Sequence, residues 1–409
     1  MSDVRTKRVL SRYAIFTSDY LREPHPIWER MRAEQPVYCA EFPEGGGRCW
    51  VVSRYADVRA ALLDPRLSKD AGRMHEVLEL QLSKGGRHDT FPESLASHML
   101  NSDPPVHTRL RKLVTKAFTA RRVTQLRPGV EQVTDELIEG MAAGPTADLI
   151  TDFAFQLPIT VICELLGVAM DDRKSFRGWS NVIAGDSTTD QLGRASEAMS
   201  AYLARVVVDK RENPADDLLS SLMTAADDGD RLTDAEGVSM AFLLLMAGYE
   251  TTVNLIGNGM AALLQEREQF EMLKANPELT PGAVEEFLRY GSPVHTATTR
   301  FTAEATRIGD VTIPADEVVL LCLGSANWDE GRFAGADRLD ITRTANKHMA
   351  FGHGIHHCLG APLARMEADV AFRRLLKRFP DMRLAVPPES LEWRHGNIVR
   401  GLKSLPIRL

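Results

Sequence analysis

A nearly unbroken apolar helical pattern over Thr233–Leu264 is the feature that most restricts how this chain can fold. Thr233 and Glu236 have the spacing of a capping box, which marks the start of a helix. About thirty residues of α-helix span roughly 45 Å, enough to cross a whole domain. The most apolar run, Met240–Gly248, is shorter than the ~20 residues that a membrane span needs. The pattern therefore predicts a buried central helix and no membrane association.

The composition excludes several broad classes of protein. The chain has 409 residues, of which 44% are hydrophobic and 26% are charged, so a disordered or collagen-like protein is excluded. A formal net charge of −7 disfavours a nucleic-acid-binding protein. Five scattered cysteines make no disulfide framework, and the polar first residues lack a signal core. We therefore expect a cytoplasmic protein, taken to be a monomer, in which a special cysteine serves a chemical role.

Helical periodicity dominates the chain, and strands are few. No repeat and no linker divides it, so residues 1–409 are predicted to form a single domain, mainly α with a minor β portion. Residues 68–105 show no clear periodicity and are interpreted as irregular. The patterns predict helices at Pro26–Glu34, Tyr55–Leu63, Val106–Thr119, Gln125–Met141, Phe153–Leu166, two within 171–213, Thr233–Leu264, Thr280–Gly291 and Ala361–Phe379, and strands at Arg48–Ser53, Thr296–Phe301, Val311–Ile313 and Val318–Leu323.

The densest group of reactive side chains lies in Phe351-Gly-His-Gly-Ile-His-His-Cys-Leu-Gly360. Cys358 directly precedes a predicted helix, whose dipole and free N–H groups favour a thiolate. A thiolate is a good ligand for haem iron, and glycines let a bulky planar group approach the backbone. Zinc is disfavoured because adjacent His357 and Cys358 cannot easily share one tetrahedral ion. A catalytic cysteine and a plain glycine-rich loop both stay open on this segment alone.

This segment resembles the haem-binding signature of the cytochrome P-450 family, Phe-x-x-Gly-x-Arg/His-x-Cys-x-Gly. The matching residues are Phe351, Gly354, His356, Cys358 and Gly360. The resemblance covers nearly the whole chain and is to the soluble bacterial members. It implies a triangular helical prism, with haem b held between the long central helix and the loop that presents Cys358 to the iron. It also implies that the haem is contacted by Phe351, Gly352, Gly360 and Ala247.

A Glu-x-x-Arg pair on one face of a predicted helix strengthens the resemblance. Glu286 and Arg289 match a pair that in this family is buried beneath the haem. There the pair joins an arginine from the loop before the cysteine, which here would be Arg343 or Arg338. The implied role is structural, and the loss of one member of such a buried charge cluster would be costly. The sequence departs from the commoner family pattern at Trp328, where arginine is frequent.

Polar residues interrupt the central helix at Ala247-Gly-Tyr-Glu-Thr-Thr252. An unpaired acid is unfavourable inside a buried helix, so the position of Glu250 requires an explanation. One explanation is that the apolar run ends here and the side chain reaches solvent. The segment also resembles the family motif Ala/Gly-Gly-x-Asp/Glu-Thr, in which the helix opens beside the iron and makes room for dioxygen. That resemblance implies that Glu250 and Thr251 form an acid–alcohol pair supplying protons for oxygen scission.

Four side chains are candidates to pair with the two carboxylates of a haem, which need partners if they are buried. His107 and Arg111 match the family pattern His-x-x-x-Arg after Asp-Pro-Pro. Arg300 resembles the strand arginine that meets a propionate, and His356 belongs to the cysteine segment. Without the resemblance, each of the four would be interpreted as a surface cation.

A basic stretch with no acidic residue follows His107. Its cations are Arg109, Arg111, Lys112, Lys116, Arg121 and Arg122. A solvated helix face explains part of it. The resemblance places the stretch on the cysteine side of the haem, where an acidic iron–sulfur ferredoxin, supplied by a ferredoxin reductase, would dock by electrostatic steering. Arg365 and Arg373 would extend this surface.

The resemblance implies hydroxylation or epoxidation of a hydrophobic small molecule, of the macrolide, polyketide, terpenoid or steroid class. The variable parts of the family correspond to residues 68–100 and 176–195. Candidate substrate contacts are Ala247, Val294, His295, Met99, Ile183 and Ile398.

Three functions of different kinds follow from these residues. The leading one is a monooxygenase that uses dioxygen, two external electrons and two protons. A peroxygenase driven by hydrogen peroxide is disfavoured because such relatives tend to replace the acid–alcohol pair, here Glu250 and Thr251. A non-enzymatic haem sensor is disfavoured by the same pair.

Overall fold

The computed structural model describes residues 13, 15–42, 47–81, 93–169, 172–184, 188–226, 229–344, 346–394, 396 and 398–409. The helices in these ranges are α1 Ser18–Arg22, α2 His25–Glu34, α3 Tyr55–Leu63, α4 Ala71–Gln81, α5 Glu93–Ala96, α6 Val106–Ala117, α7 Ala120–Met141, α8 Gln156–Leu166, α9 Arg173–Ala184, α10 Thr189–Glu212, α11 Leu218–Thr224, α12 Asp234–Gln265, α13 Arg267–Ala275, α14 Thr280–Gly291, α15 Leu323–Asn327 and α16 Ala361–Arg378. The strands are β1 Val37–Glu41, β2 Arg48–Val52, β3 Leu67–Ser68, β4 Thr146–Asp148, β5 Arg300–Thr302, β6 Thr306–Ile308, β7 Val311–Ile313, β8 Val318–Leu321, β9 Arg383–Leu384 and β10 Pro406–Arg408.

Helix α12 is the centre of the fold. The predicted capping box is present: the Thr233 hydroxyl accepts from the backbone N–H of Glu236 at 3.2 Å, and the Glu236 carboxylate accepts from the backbone N–H of Thr233 at 2.9 Å. The helix packs against α8, α10, α14 and α16. Among the described helices it has the length and hydropathy of a membrane span, but 67% of its most apolar window is buried inside the protein. It is therefore a core helix, as the sequence predicts.

The strands of the described residues form three small sheets. The largest has the order β1-β2-β8-β5-β3, in which β2 and β8 run parallel and the other neighbours run antiparallel. Strand β10 lies between β4 and β9 in a second sheet, and β6 pairs with β7. In the large sheet Ser68 of β3 pairs with Phe301 of β5, beside Arg300. This register brings the residues after β3 close to the predicted propionate arginine.

A tight loop delivers Cys358 to the start of α16. The Cys358 backbone N–H donates to the Phe351 carbonyl at 2.9 Å, which closes the loop on itself. Gly354 has a φ of +77°, and a Cβ there would lie 3.0 Å from the Leu62 carbonyl oxygen. Because left-handed backbone and close packing coincide at Gly354, only glycine fits this position without strain. Helix α16 begins at Ala361, so its first turn follows the cysteine directly.

Most of the predicted helices are confirmed, including α3 with its predicted bounds and the pair α9 and α10 within 171–213. The interpretation of 68–105 as irregular was wrong for Ala71–Gln81, which forms α4. Val77 is the one residue described as buried in that helix. A helix that buries so little has no continuous apolar stripe, so sequence periodicity does not reveal it. Residues 82–92 and 185–187, which belong to the two variable segments, lie outside the described residues. The strand predicted at Thr296–Phe301 begins later, at Arg300.

Candidate functional site

A cavity of about 1510 Å³ is lined both by α12 and by the loop that carries Cys358. Its volume exceeds the roughly 300–1,000 Å³ of a typical small-molecule site, so it can take a large planar cofactor together with a substrate. Most of the residues predicted from the sequence to form the site line this cavity: Met99, His107, Arg111, Ala247, Glu250, Thr251, Val294, Arg300, Phe351, Gly352, His356, Cys358, Gly360 and Ile398.

Two predicted substrate contacts do not line the cavity. His295 is buried and packs edge-on against Trp28, with 4.7 Å between the ring centroids. Ile183 is buried in the largest hydrophobic cluster of the described residues. Val294, the residue before His295, does line the cavity. It forms an isolated β-bridge with Val399, and successive side chains of extended backbone point to opposite sides. We therefore correct the expectation that His295 and Ile183 contact a substrate.

Cys358 lines the cavity and has accessible surface there, although protein surrounds its thiol. Burial by the surrounding protein is the largest influence on it and raises the pKa of the Cys358 thiol. Hydrogen bonds from the backbone N–H groups of Gly360 and Ala361 lower that pKa, as do the positive charges of Arg111 and Arg365. The helix N-terminus thus acts in the predicted direction, but burial outweighs it. A metal cation bound to the sulfur would favour the thiolate further.

The acid–alcohol pair lies on α12 at the cavity wall. Burial raises the pKa of Glu250 to about 7, against an opposing influence of the Arg394 charge. The Thr251 hydroxyl donates to the Ala247 carbonyl at 2.8 Å, one turn earlier. Helix α12 is continuous through this segment, so the expected opening of the helix is not observed. The carboxyl and the hydroxyl nevertheless reach the same cavity as Cys358.

Several buried nitrogens at one end of the cavity have no hydrogen-bond partner among the described residues. They are both ring nitrogens of His107, Nε2 of His356 and Nε of Arg300. The His107 and His356 rings lie 4.4 Å apart between centroids. Buried polar atoms in proteins are nearly always hydrogen-bonded, so this cluster calls for an acceptor-rich group. The two carboxylates of a haem fit that requirement.

Each of the two arginines near this end donates a hydrogen bond to a backbone carbonyl of the described residues. Arg111 donates to the His357 carbonyl at 2.8 Å, which ties α6 to the cysteine loop. Arg300 donates to the Leu67 carbonyl at 3.3 Å and is only 5% exposed. Burial lowers the pKa of Arg300 to about 10, so it still carries its charge at neutral pH. Burial also lowers the pKa of His356 to about 2, which keeps that imidazole neutral.

Lys69, which no sequence motif marks as a site residue, also lines the cavity. Its side chain is almost fully buried, and its ammonium donates to the Thr298 hydroxyl. Burial, followed by the positive charge of Arg300, lowers the pKa of Lys69 well below its usual value, and Asp103 opposes this. No motif surrounds Lys69 in the sequence, so only the pairing of β3 with β5 reveals that it lies beside Arg300.

The Glu-x-x-Arg pair is buried, as the resemblance implies. Arg289 donates to the two oxygens of Glu286 at 2.8 and 2.7 Å, and both side chains have no exposed surface. Of the two candidate loop arginines, Arg343 joins the cluster, donating to Glu286 at 3.1 Å. Arg338 contributes only its backbone carbonyl, which accepts from Arg289 at 3.0 Å. Trp328, the departure from the family pattern, stacks on His25 with ring centroids 3.6 Å apart.

Among the described residues, two of the six cations in the basic stretch are ion-paired with acids from other elements. Arg109 pairs with Asp230 and Glu236, and Arg122 pairs with Asp216. The proposed extensions are paired too: Arg365 with Glu285 and Arg373 with Asp369. The sequence alone therefore overstates the positive charge of this surface. Exposed cationic side chains there are Lys112, Lys116 and Arg121.

The comparison with known proteins agrees with this arrangement. Residues 179–393 match the family model described as cytochrome P450. The chain belongs to the cytochrome P450 family. Its fold is accordingly the P450 fold, mainly α with a minor β portion, and the family uses a haem-iron cofactor.

Individual relatives span nearly the whole P450 chain. Cytochrome P450 107B1 of Saccharopolyspora erythraea is 51% identical, over 96% of both chains. Vitamin D(3) 25-hydroxylase of Pseudonocardia autotrophica is 47% identical, over 97% of this chain and 96% of that protein. The solved structure of the tirandamycin C-bound P450 monooxygenase TamI is 48% identical, with a TM-score of 0.89, and the match covers 96% of this chain and 99% of that one. The protein is therefore a P450 monooxygenase.

Proposed function

We propose that this P450 hydroxylates or epoxidises a hydrophobic natural product, with haem b as cofactor and dioxygen as co-substrate. Electrons come from an acidic ferredoxin and its reductase, and the enzyme works as a single-domain monomer in the cytoplasm. The observation that carries the proposal is one cavity that brings Cys358 together with the pair Glu250–Thr251. The names of two relatives, a vitamin D(3) 25-hydroxylase and a tirandamycin C-bound monooxygenase, favour a large apolar substrate. The macrolide, polyketide, terpenoid and steroid classes all have this character.

The residues around the cysteine would hold the haem. Cys358 would supply Sγ as the ligand of the haem iron, and Phe351, Gly352 and Gly360 line the same cavity. An added Cβ on Gly352 would meet no atom within 4 Å, so this glycine leaves open space at the cavity wall. The carboxylates would be held by His107, Arg111, Arg300 and His356, whose unpartnered nitrogens support this role. When bound, the haem supplies the oxygen-activating chemistry.

Glu250 and Thr251 would move protons into the cavity from its α12 side. A general acid works best when its pKa is close to the working pH, and burial raises the pKa of Glu250 to about 7. A hydroxyl can accept one hydrogen bond while donating another. Thr251 Oγ1, which donates to the Ala247 carbonyl at 2.8 Å, can turn to pass on a proton that Glu250 releases.

The remaining wall supports an apolar substrate. It is contributed mainly by α12 and by the segment around α5, and its apolar members include Leu95, Met99, Leu243, Met246 and Val294. Such walls exclude water from the substrate and bind it through the hydrophobic effect. Ala247 is exposed at the cavity surface, where its small side chain would leave room for the haem and a substrate.

The docking surface for the electron donor would lie on α6 and the start of α7. Arg111 of α6 contacts the His357 carbonyl, so this helix lies directly against the cysteine loop. Lys112, Lys116 and Arg121 are exposed on the same two helices. Their charges would steer an acidic partner toward the face of the protein where α6 meets the cysteine loop.

The ligand assignment is tested with the reduced carbon-monoxide spectrum of the purified holoprotein. The wild type should give the strongly red-shifted band of a thiolate-ligated haem, and Cys358→Ser should lose it. Cys39→Ser is the matched control, because Cys39 lies on β1 and does not line the cavity. An unchanged spectrum in Cys358→Ser would refute the assignment.

Turnover then tests the reaction itself. Ligands are first sought among hydrophobic natural products by the spectral shift that accompanies displacement of water from ferric iron. The hits are incubated with ferredoxin, reductase and NAD(P)H, and products heavier by one oxygen atom are expected. Hits that bind but give no oxygenated product under these conditions would count against the monooxygenase role.

A further inference from the structure

The polar end of the cavity carries more positive charge than the described protein neutralises. Three cationic side chains lie there: Lys69, Arg111 and Arg300. Among the described residues, the carboxylate whose charge raises the pKa of both Lys69 and Arg300 is Asp103. With Lys69 protonated, the three cations and this one carboxylate leave an excess of two positive charges. Buried charges are stable only when they are paired.

Lys69 is the least expected member of this group. Its side chain is 3% exposed, and among the described residues its ammonium has the Thr298 hydroxyl as hydrogen-bond partner. An ammonium has three N–H donors, so two of them are available for other acceptors such as a bound anion. The Asp103 carboxylate is already engaged, because it accepts from the Ser68 hydroxyl and from the backbone N–H of Lys69 at 3.1 Å.

Lys69 lines the same cavity as His107, His356 and Arg300, each of which has a buried nitrogen with no hydrogen-bond partner among the described residues. The charge of Lys69 lowers the pKa of His98, His107 and His356, each of which is also depressed by burial. These imidazoles can donate hydrogen bonds to an incoming anion. The lysine and arginine side chains that face such an anion are Lys69, Arg111 and Arg300.

We propose that Lys69 pairs with a propionate of the haem and supplies the third positive charge of that subsite, an inference that rests on the proposed function. Two haem carboxylates equal the excess of two positive charges at this end of the cavity. Pairing also explains why a lysine is buried next to Arg300, a position that repels a cation in the absence of an anion. A substrate carboxylate is the competing occupant, and it is less favoured because most of the remaining cavity lining is apolar.

The first test compares Lys69→Met with Lys69→Arg. Lys403→Met is the control, because it removes the same net charge from an exposed lysine that pairs with Glu392 away from the cavity. In Lys69→Met, haem should transfer to excess apomyoglobin roughly tenfold faster than in the wild type, as for the loss of a supporting contact. The ferric–ferrous midpoint potential should move in the negative direction, because a positive charge near the iron favours the reduced form. Lys69→Arg should restore both properties.

The second test asks whether Lys69 acts on the propionates themselves. Wild type and Lys69→Met are each reconstituted with iron protoporphyrin IX and with its dimethyl ester, which has no carboxylate charge. If Lys69 pairs with a propionate, the substitution should speed loss of the natural haem and have little effect on loss of the ester. Equal effects on both haems would overturn the proposal.

Two further outcomes are decisive. Haem retention and potential in Lys69→Met that match Lys403→Met would show that Lys69 does not meet a propionate. A change confined to the binding of carboxylate-bearing ligands would assign Lys69 to the substrate instead. Failure of the wild type to take up haem at all would overturn the proposed function, not this inference alone.

Discussion

Arg343 donates from Nε to the carboxylate of Glu286 at 3.1 Å across 57 residues of sequence. The same carboxylate accepts from Arg289 and from Asn346, and no part of Glu286 is exposed. The guanidinium of Arg343 also donates to the carbonyls of Ala334 and Gly335, at 2.9 and 3.1 Å. Helix α14 and the chain that leads to Cys358 are thus joined through one buried charge.

Removal of this arginine should destabilise the loop and the protein. Arg343→Met leaves Glu286 with less compensation, and breaking a buried ion pair costs about 3 kcal/mol. Arg338→Met is the matched control, because the Arg338 side chain is exposed and only its carbonyl enters the cluster. Urea unfolding and the haem content of freshly purified protein measure the effect. Equal losses in the two variants would contradict this account.

The Thr251 hydroxyl should matter for coupling and not for haem binding. Thr251→Val keeps the size of the side chain but removes the group that passes on a proton. Oxygen consumption should continue while product falls by about 100-fold, the lower end of the loss expected when general acid catalysis is removed. Hydrogen peroxide should account for the oxygen that is consumed without product. Thr251→Ser keeps the hydroxyl and should stay coupled. Fully coupled turnover by Thr251→Val would remove Thr251 from the proton route.

Glu250 should give that coupling a pH dependence near neutrality. Burial raises the pKa of Glu250 to about 7, so the carboxyl is protonated below that pH and ionised above it. Proton supply should therefore decline as the pH rises through about 7. Product formed per NAD(P)H consumed, measured against pH, checks this. Glu250→Gln should be poorly coupled at every pH, and a profile in that variant identical to the wild type would show that another group titrates.

Local patterns predicted the parts of the site that depend on contiguous residues. The Thr233–Glu236 capping box and the cysteine loop each depend on residues that are close together in the sequence, and the structure contains both. The sequence predicts that the loop partner of Glu286 is either Arg338 or Arg343, because the choice depends on how the loop folds back over α14. The three-dimensional structure identifies Arg343 as the side chain that donates to Glu286.

Long-range pairing explains what the sequence could not show. Lys69 reaches the cavity because β3 pairs with β5, a contact between segments far apart in the chain. The basic stretch contains no acid of its own, yet Asp230 and Asp216 reach it from other elements and neutralise Arg109 and Arg122. His295 does not line the cavity; its buried ring packs against Trp28, a contact between residues far apart in the sequence.

Gly401 should tolerate no side chain. A Cβ built there would overlap the amide of Asn254, which is buried on α12. Overpacking of this kind destabilises a protein by about 1–3 kcal/mol, so Gly401→Ala should lower the free energy of unfolding by that amount. Gly140→Ala is the control, because an added Cβ meets nothing within 4 Å on α7, and alanine favours a helix by up to about 1 kcal/mol. Equal stability of the two variants in urea would contradict the predicted clash.

Glu367 should make the protein less stable as the pH rises. It lies on α16 with 1% of its surface exposed, and Oε2 has no hydrogen-bond partner among the described residues. Burial raises the pKa of Glu367 from 4.5 to about 8. Between these values the folded state keeps a proton that the unfolded state has released. Stability therefore falls with rising pH across this window, by about 1.4 kcal/mol per pH unit at most.

Glu367→Gln cannot ionise and should lack that loss. Near pH 5 the variant and the wild type should have similar free energies of unfolding, whereas near pH 9 the variant should be more stable by about 2–4 kcal/mol. Urea titrations at the two pH values measure this difference. Glu389→Gln, at an exposed glutamate, should change neither value. Since Glu250 contributes a pH dependence of the same sign to both proteins, only the difference between wild type and Glu367→Gln reports on this carboxyl. A difference that stays constant from low to high pH would show that Glu367 is already ionised in the folded state, with a partner that stabilises its charge.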